Sequence, residues 1–283
     1  MAFNMYHRLG VENKIDKPME KEEMIYTGFS AIDSVTGGLK PSELVVVAGR
    51  PSAGKTSLAI SIAKNVAVDL NIPTAFLTLE MNNVRLTDLL ISNACNIRAG
   101  KLLRGQLNSE DWDRLDDNIK YLQDSPIYID DTPSPTLEQI DDKIRHFVIE
   151  HGTRLVVIDH LGLLNIPNVR DRQLELAVAL QHLKRVALEL QVVIIAVGLL
   201  FSGVDKVESR PKISDHIEFD TIEQYADRTF LICRSDKYHN SHIAIENGVE
   251  NCACIVIKKC GIPNISEAIL KFNSESRRFE NCC

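Results

Sequence analysis

The sequence has no apolar run approaching the ~18 residues that a membrane-spanning helix requires. Its first residues, MAFNMYHRLGVENKIDK, lack the apolar centre of a signal peptide and read as neither signal nor transit segment. Positive charge is not in excess: 32 Lys+Arg face 39 Asp+Glu, a formal net charge of −7. That balance excludes a generally basic nucleic-acid coat, although a local DNA site remains open. Aromatic residues are scarce, with a single tryptophan. The seven cysteines are odd in number and include no C-x-x-C pair and no histidines at ligand spacing. A zinc site or disulfide scaffold is therefore not expected; the thiols read as reduced. Cys252 and Cys254 alternate onto one face of an expected strand. These absences imply a cytoplasmic chain with no membrane association. What is present, 283 residues with 45% apolar content, suffices for one large core.

Residues 1–26 are polar and charged and read as an N-terminal arm or linker, with the domain running over 27–283. From Thr27 onward apolar strands alternate with longer helical patterns, the signature of a parallel α/β sheet. Strands are expected at Leu44–Ala48, Thr74–Leu79, Ile127–Ile129, Arg154–Asp159 and Val192–Val197. Helices are expected over 54–70, 83–97, 109–123, 136–151 and 172–191. Residues 199–226 read as irregular, and strands follow at Arg228–Cys233, Cys252–Ile257 and Ala268–Phe272. Trp112, Leu115, Ile119 and Leu122 recur at helical spacing and read as a buried stripe, with Tyr121 on the opposite face. His216, His239 and His242 read as surface or packing residues.

Gly49-Arg50-Pro51-Ser52-Ala53-Gly54-Lys55-Thr56 fits the phosphate-loop pattern in full, after a buried strand and before a helix. Its glycines let backbone N–H groups curl around phosphates, and the helix N-terminus adds a favourable dipole. Lys55 is placed for the β- and γ-phosphates, and the Thr56 hydroxyl for Mg²⁺; Ser57 completes the nucleotide cradle. Leu155-Val156-Val157-Ile158-Asp159 is an apolar strand ending in a carboxylate about 100 residues further on, the place of a magnesium-holding aspartate. Glu80 follows another strand. On spacing alone it is either a base that polarises water or an acidic residue of the next helix's first turn.

Several blocks, in order, resemble the RecA-like ATPase domain of DnaB-type replicative helicases. They include TGFSAIDSVTGGL (Thr27–Leu39), VVAGRPSAGKTSLA (Val46–Ala59), FLTLEM (Phe76–Met81), IYIDDTPS (Ile127–Ser134) and LVVIDHLGLL (Leu155–Leu164). Further ones are LKRVALELQVVIIAV (Leu183–Val197), RPKISD (Arg210–Asp215) and TIEQYAD (Thr221–Asp227). The resemblance implies an α/β phosphate-loop NTPase fold with a mainly parallel sheet flanked by helices. It implies Glu80 as the catalytic glutamate, acting with Lys55 and Asp159. It also implies Mg-ATP at the subunit interfaces of a hexameric ring, single-stranded DNA in the ring channel, and a helicase loader or primase as partner.

Departures from the family pattern are confined to a few places. D-Y-L-Q-L becomes Asp159-His160-Leu161-Gly162-Leu163, and S-Q-L becomes Gly198-Leu199-Leu200, where leucine cannot sense a γ-phosphate. K-Q-R-N-G-P, which supplies an arginine finger in trans, becomes Lys258-Lys259-Cys260-Gly261-Ile262-Pro263, so the finger position falls on Cys260 or Gly261. Lys258 and Lys259 are then the candidate trans charges. The DNA-loop motif S-D-L-R-E-S-G becomes Ser214–Asp220. Arg210, Lys212 and Glu218 are the candidate DNA contacts, among mixed charges rather than a cationic stripe. The expected function is an ATP-dependent DNA helicase or translocase of replication. The competing expectation is a weakly hydrolysing ring or accessory ATPase that does not unwind.

Overall fold

Short runs of β-branched and other apolar residues build the centre of the molecule. β1 (Leu44–Ala48), β2 (Thr74–Thr78), β4 (Leu155–Asp159) and β5 (Val193–Val197) are buried at every position, as strands covered on both faces must be. They join β3 (Ile127–Asp130), β6 (Arg228–Arg234), β7 (Cys252–Lys259), β8 (Ile265–Asn273) and β9 (Arg278–Asn281) in one sheet. The strand order is β3-β2-β4-β5-β1-β6-β7-β8-β9. Neighbours from β3 through β6 are parallel, and β7 to β9 extend the sheet antiparallel. The computed structural model describes residues 23–167, 169, 171–198, 219–234, 252–260 and 265–282.

Alternation along the strands divides the core in two. Val45 and Val47 face one layer with α2 (Lys55–Lys64) and α3 (Asn83–Cys95); Leu44, Val46 and Ala48 face the other with α6 (Leu137–His151) and α7 (Arg172–Leu190). Each fully buried Val, Leu or Ile contributes roughly 1.5–3 kcal/mol of transfer free energy. Local chemistry fixes the helix ends. Thr136 and Gln139 form a capping box on α6, which stops at Gly152 with φ 63°. Asn108 and Asp111 do the same for α5 (Ser109–Gln123). A mainly parallel sheet with helices on both faces is the α/β architecture expected from the sequence.

The structure corrects several local readings. Trp112 is 53% exposed, and of its expected stripe only Leu122 is buried. At that end of α5 it is Asp111 that turns inward, held by Lys101 at 2.6 Å and by the Asn108 N–H, so its neighbour points out. The helix expected over 54–70 widens into a π-helical turn at Asn65–Asp69, where the Asn65 amide donates to the Thr27 carbonyl. The end of the stretch read as irregular is helical, α8 (Phe219–Tyr225). Helices α1 (Ser30–Thr36) and α4 (Ala99–Leu103) and strand β9 were not expected. Ile25 pairs with Leu39 and is buried, so the core begins before Thr27. No helix among the described residues is long and apolar enough to cross a membrane.

Candidate active site

β1 delivers Gly49 to the C-terminal edge of the parallel strands, and the chain turns there before α2 begins at Lys55. Gly54 closes that turn at φ +102°, in the left-handed region that strains any L side chain. A Cβ there would also meet the Phe279 ring at 3.3 Å. Ala53 and Ser57 are buried beneath the loop, whereas Pro51 and Ser52 are exposed. The Lys55 ammonium donates to the carbonyls of Gly49 and Arg50, each at 3.1 Å. Burial pulls its pKa down, against the raising influence of Asp159 and Glu80.

Asp159 ends β4 beside this loop with no exposed surface. Neither of its carboxylate oxygens meets a hydrogen-bond donor in good geometry, although the Thr56 hydroxyl is close enough to favour the charged form. Burial pushes its pKa up to about 6, and the Glu80 carboxylate adds to the rise. An orphaned buried carboxylate beside a threonine hydroxyl is a hard oxygen pair suited to Mg²⁺, which takes one or two protein oxygens and completes its shell with phosphates and water. Among the described residues no group of three or more His, Cys, Asp or Glu side chains is placed to hold a metal by itself. The pair therefore fits a nucleotide-borne magnesium rather than a protein-only cage.

Glu80 leaves the end of β2 in a turn tied by Thr78, whose hydroxyl donates to the Met81 carbonyl and accepts from the Met81 N–H. Its side chain is 56% exposed and faces His160, with Oε2 lying 3.9 Å from Nε2. Burial pulls the His160 pKa down, partly opposed by Glu80, and Lys55 and Arg172 lower it further. Loop, carboxylates and histidine share a cavity of about 490 Å³ with Val197, Arg234, Phe272, Ser274 and Arg277.

The predicted cradle Gly49–Ser57, Glu80 and Asp159 thus converge at one sheet edge, where ligands of parallel α/β folds sit. Lys258 and Lys259 do not. Lys259 pairs with Arg228, and Arg228 lies level with Val45 at the start of β1, three residues from Ala48. That places both lysines roughly 10 Å of strand away from the loop, at the opposite edge. Lys258 is ion-paired with Glu223 of α8. Arg210, Lys212, Glu218, Leu199 and Gly261 lie outside the described residues. Sequence reasoning missed the far wall. Arg234 stands over the Phe272 ring at 4.2 Å, and Arg277 occupies the turn between β8 and β9. Nothing in their local sequence marks them: Arg234 reaches the loop at the end of β6, which runs parallel to β1, and Arg277 in the turn that follows β8.

The model of the DnaB-like helicase C-terminal domain matches residues 24–281. The replicative DNA helicase DnaB of Buchnera aphidicola subsp. Schizaphis graminum is 32% identical over 277 residues, covering 96% of this chain and 58% of that protein. The DnaB of Geobacillus stearothermophilus is 36% identical over 260 residues, covering 91% and 56%. The chain thus spans under two thirds of the length of these curated relatives. Among solved structures, an isolated ATPase domain superposes with a TM-score of 0.82 at 30% identity, over 98% of both chains. A DnaB-like replicative helicase described with its interactions with primase gives 0.81 at 30% identity, over 96% of this chain and 67% of that one. On these likenesses and the geometry above, the chain belongs to the family of DnaB-like helicase C-terminal domains.

Proposed function

We propose that the chain is a Mg-ATP-hydrolysing motor of DNA replication, a helicase or translocase of the DnaB type. It acts on single-stranded DNA as part of a homo-oligomeric, hexameric ring, with a primase or helicase loader as partner. The observation that carries this reading is the convergence of the phosphate loop, the orphaned Asp159 carboxylate and the outward-facing Glu80 on one cavity. Backbone N–H groups of residues 49–56, apart from Pro51, which has none, and the α2 N-terminus hold the phosphates, and Lys55 places its charge against the β- and γ-oxygens. Asp159 and Thr56 hold Mg²⁺, which when bound neutralises charge on the phosphate oxygens. Glu80 orients the attacking water and takes its proton.

Lys258, Lys259 and Cys260 sit at the far edge of the sheet from their own loop, so any charge they supply to ATP serves a neighbouring subunit. This is the geometry expected of interface sites in a ring. The DNA contacts assigned to Arg210, Lys212 and Glu218 belong to the same proposal. A second reading, a slow ATPase without unwinding, is favoured by one observation: Lys258 is committed to Glu223. An ammonium so held, with no arginine between Lys258 and Pro263, is a poor substitute for a guanidinium fork. Steady-state ATPase with and without single-stranded DNA, beside a forked-duplex strand-displacement assay, decides between them. DNA-stimulated turnover with strand separation supports the motor; slow, unstimulated turnover supports the second reading. Absence of any ATP hydrolysis overturns both.

A further inference from the structure

Two departures from the D-Y-L-Q-L pattern, His160 and Gly162, meet in a single arrangement beside Glu80. The Gly162 N–H donates to His160 Nδ1 at 3.1 Å. A ring nitrogen that accepts carries no proton, so the neutral imidazole bears its hydrogen on Nε2. That Nε2 faces Glu80 Oε2. A Cβ added at Gly162 would lie 2.9 Å from Cε1 and Nδ1 of the ring and from the flexible end of Arg172; the arginine can swing aside, but a side chain at 162 and the ring in this place exclude one another. The His160 side chain is 14% exposed against 56% for Glu80. The ring is the fixed member of the pair and the carboxylate the adjustable one.

We propose that His160 is a positioning residue for Glu80: its Nε2–H holds the carboxylate toward the cavity, and Gly162 is there to admit the ring. The inference rests on the reading of Glu80 as the hydrolytic base. The 3.9 Å separation is longer than a hydrogen bond. A small rotation of the exposed Glu80 side chain, or one bridging water, closes it, and catalytic hydrogen bonds commonly tighten when substrate binds. His160 transfers no proton in this scheme; it only donates a hydrogen bond.

The test compares two substitutions on the full chain. His160→Asn keeps an acceptor for the Gly162 N–H but has no group at the Nε2 position. His160→Gln reaches that position with an amide donor. H160N should lower kcat for Mg-ATP about tenfold, the effect of losing one hydrogen bond to a charged group, with KM little changed. H160Q should recover most of the rate. In an E80Q background, single-turnover hydrolysis should show no further loss from H160N, because the group being positioned is gone. Gly162→Ala, which displaces the ring, should lower kcat without adding to H160N, and it carries the test if H160N does not fold by circular dichroism. Unchanged kcat in H160N or G162A overturns the proposal. So does an undiminished H160N loss in the E80Q background, or H160Q no better than H160N. The E80Q variant alone tests the underlying reading: normal turnover there would sink the base assignment, whereas ATP binding without turnover leaves it standing whatever H160N does.

Discussion

Replacing Asp159 by asparagine should make the nucleotide-free protein more stable at neutral pH while weakening its hold on Mg-ATP. Burial raises the Asp159 pKa from an ordinary 3.8 to about 6. At 1.36 kcal/mol per pKa unit, keeping this carboxylate ionised in the folded state costs ~3 kcal/mol. The sign follows from proton counting. Between about pH 4 and pH 6 the folded protein keeps a proton here that the unfolded chain has released, so stability falls as pH rises through that window and is level above it. Asparagine has no charge to desolvate and should leave the curve flat in this respect. Two effects trim the gain. The amide keeps a buried polar group without partners, and Lys55 loses one of the two counter-charges that support its ammonium. The expected advantage of D159N is therefore ~1–3 kcal/mol above pH 6, vanishing near pH 4. Urea unfolding of both proteins at pH 4.5, 6 and 8, in EDTA, measures it. With saturating Mg-ATP the order should reverse, because ligand that binds only the folded state stabilises the wild type more. A D159N protein less stable than wild type at pH 8, or a difference that does not change with pH, would refute the reasoning.

Lys55→Ala should abolish measurable nucleotide binding or hydrolysis in a fluorescent-nucleotide titration and a phosphate-release assay; unchanged affinity and turnover would mean the site is elsewhere. Glu80→Gln should still bind ATP while turnover drops by roughly 10²–10⁴, and equal loss of both would make Glu80 structural. Glu223→Gln should release Lys258 from its ion pair and raise the ATPase of the assembled protein if Lys258 acts in trans, with no change in a preparation diluted to monomer. Leu199→Gln combined with Cys260→Arg should raise turnover, since an arginine finger is worth ~10³–10⁵ in rate; a double variant no faster than the parent at saturating Mg-ATP would discard the missing-finger account.

The features legible in the sequence are those whose determinants are local. The phosphate loop, the apolar strand ending in Asp159 and the strand before Glu80 each carry their signal in fewer than a dozen residues, because a strand's burial and a loop's glycines are properties of consecutive positions. The sheet order was not so legible. It places β1 between β5 and β6, and that pairing depends on which faces meet after the chain has crossed over. Trp112 shows the limit of periodicity. Its spacing from Leu122 suits a stripe, but Asp111 takes the inward position at the start of α5, held by its capping box and by Lys101, and a partner ten residues away leaves no trace in a hydrophobic pattern.

The same distinction governs the chemistry. The floor of the cavity comes from strand ends that motifs announce. Its far wall joins Arg234, at the end of the last parallel strand, to Phe272 and Arg277, which β8 and the turn after it supply once the sheet has run antiparallel through β7. That reversal has a second consequence. In the parallel part, β6 ends at Arg234 beside the loop; β7 then runs back, so Lys258, Lys259 and Cys260 arrive at the edge where β6 began. The change of strand direction after Arg234 leaves that arginine at the chain's own loop and carries Lys258–Cys260 to the opposite end of the sheet. A cation on that returning strand is out of reach of the Asp159 carboxylate of its own chain. Catalysis assisted from Lys258–Cys260 therefore requires a second subunit, and hydrolysis per subunit should rise with protein concentration if those residues contribute and stay constant if they do not.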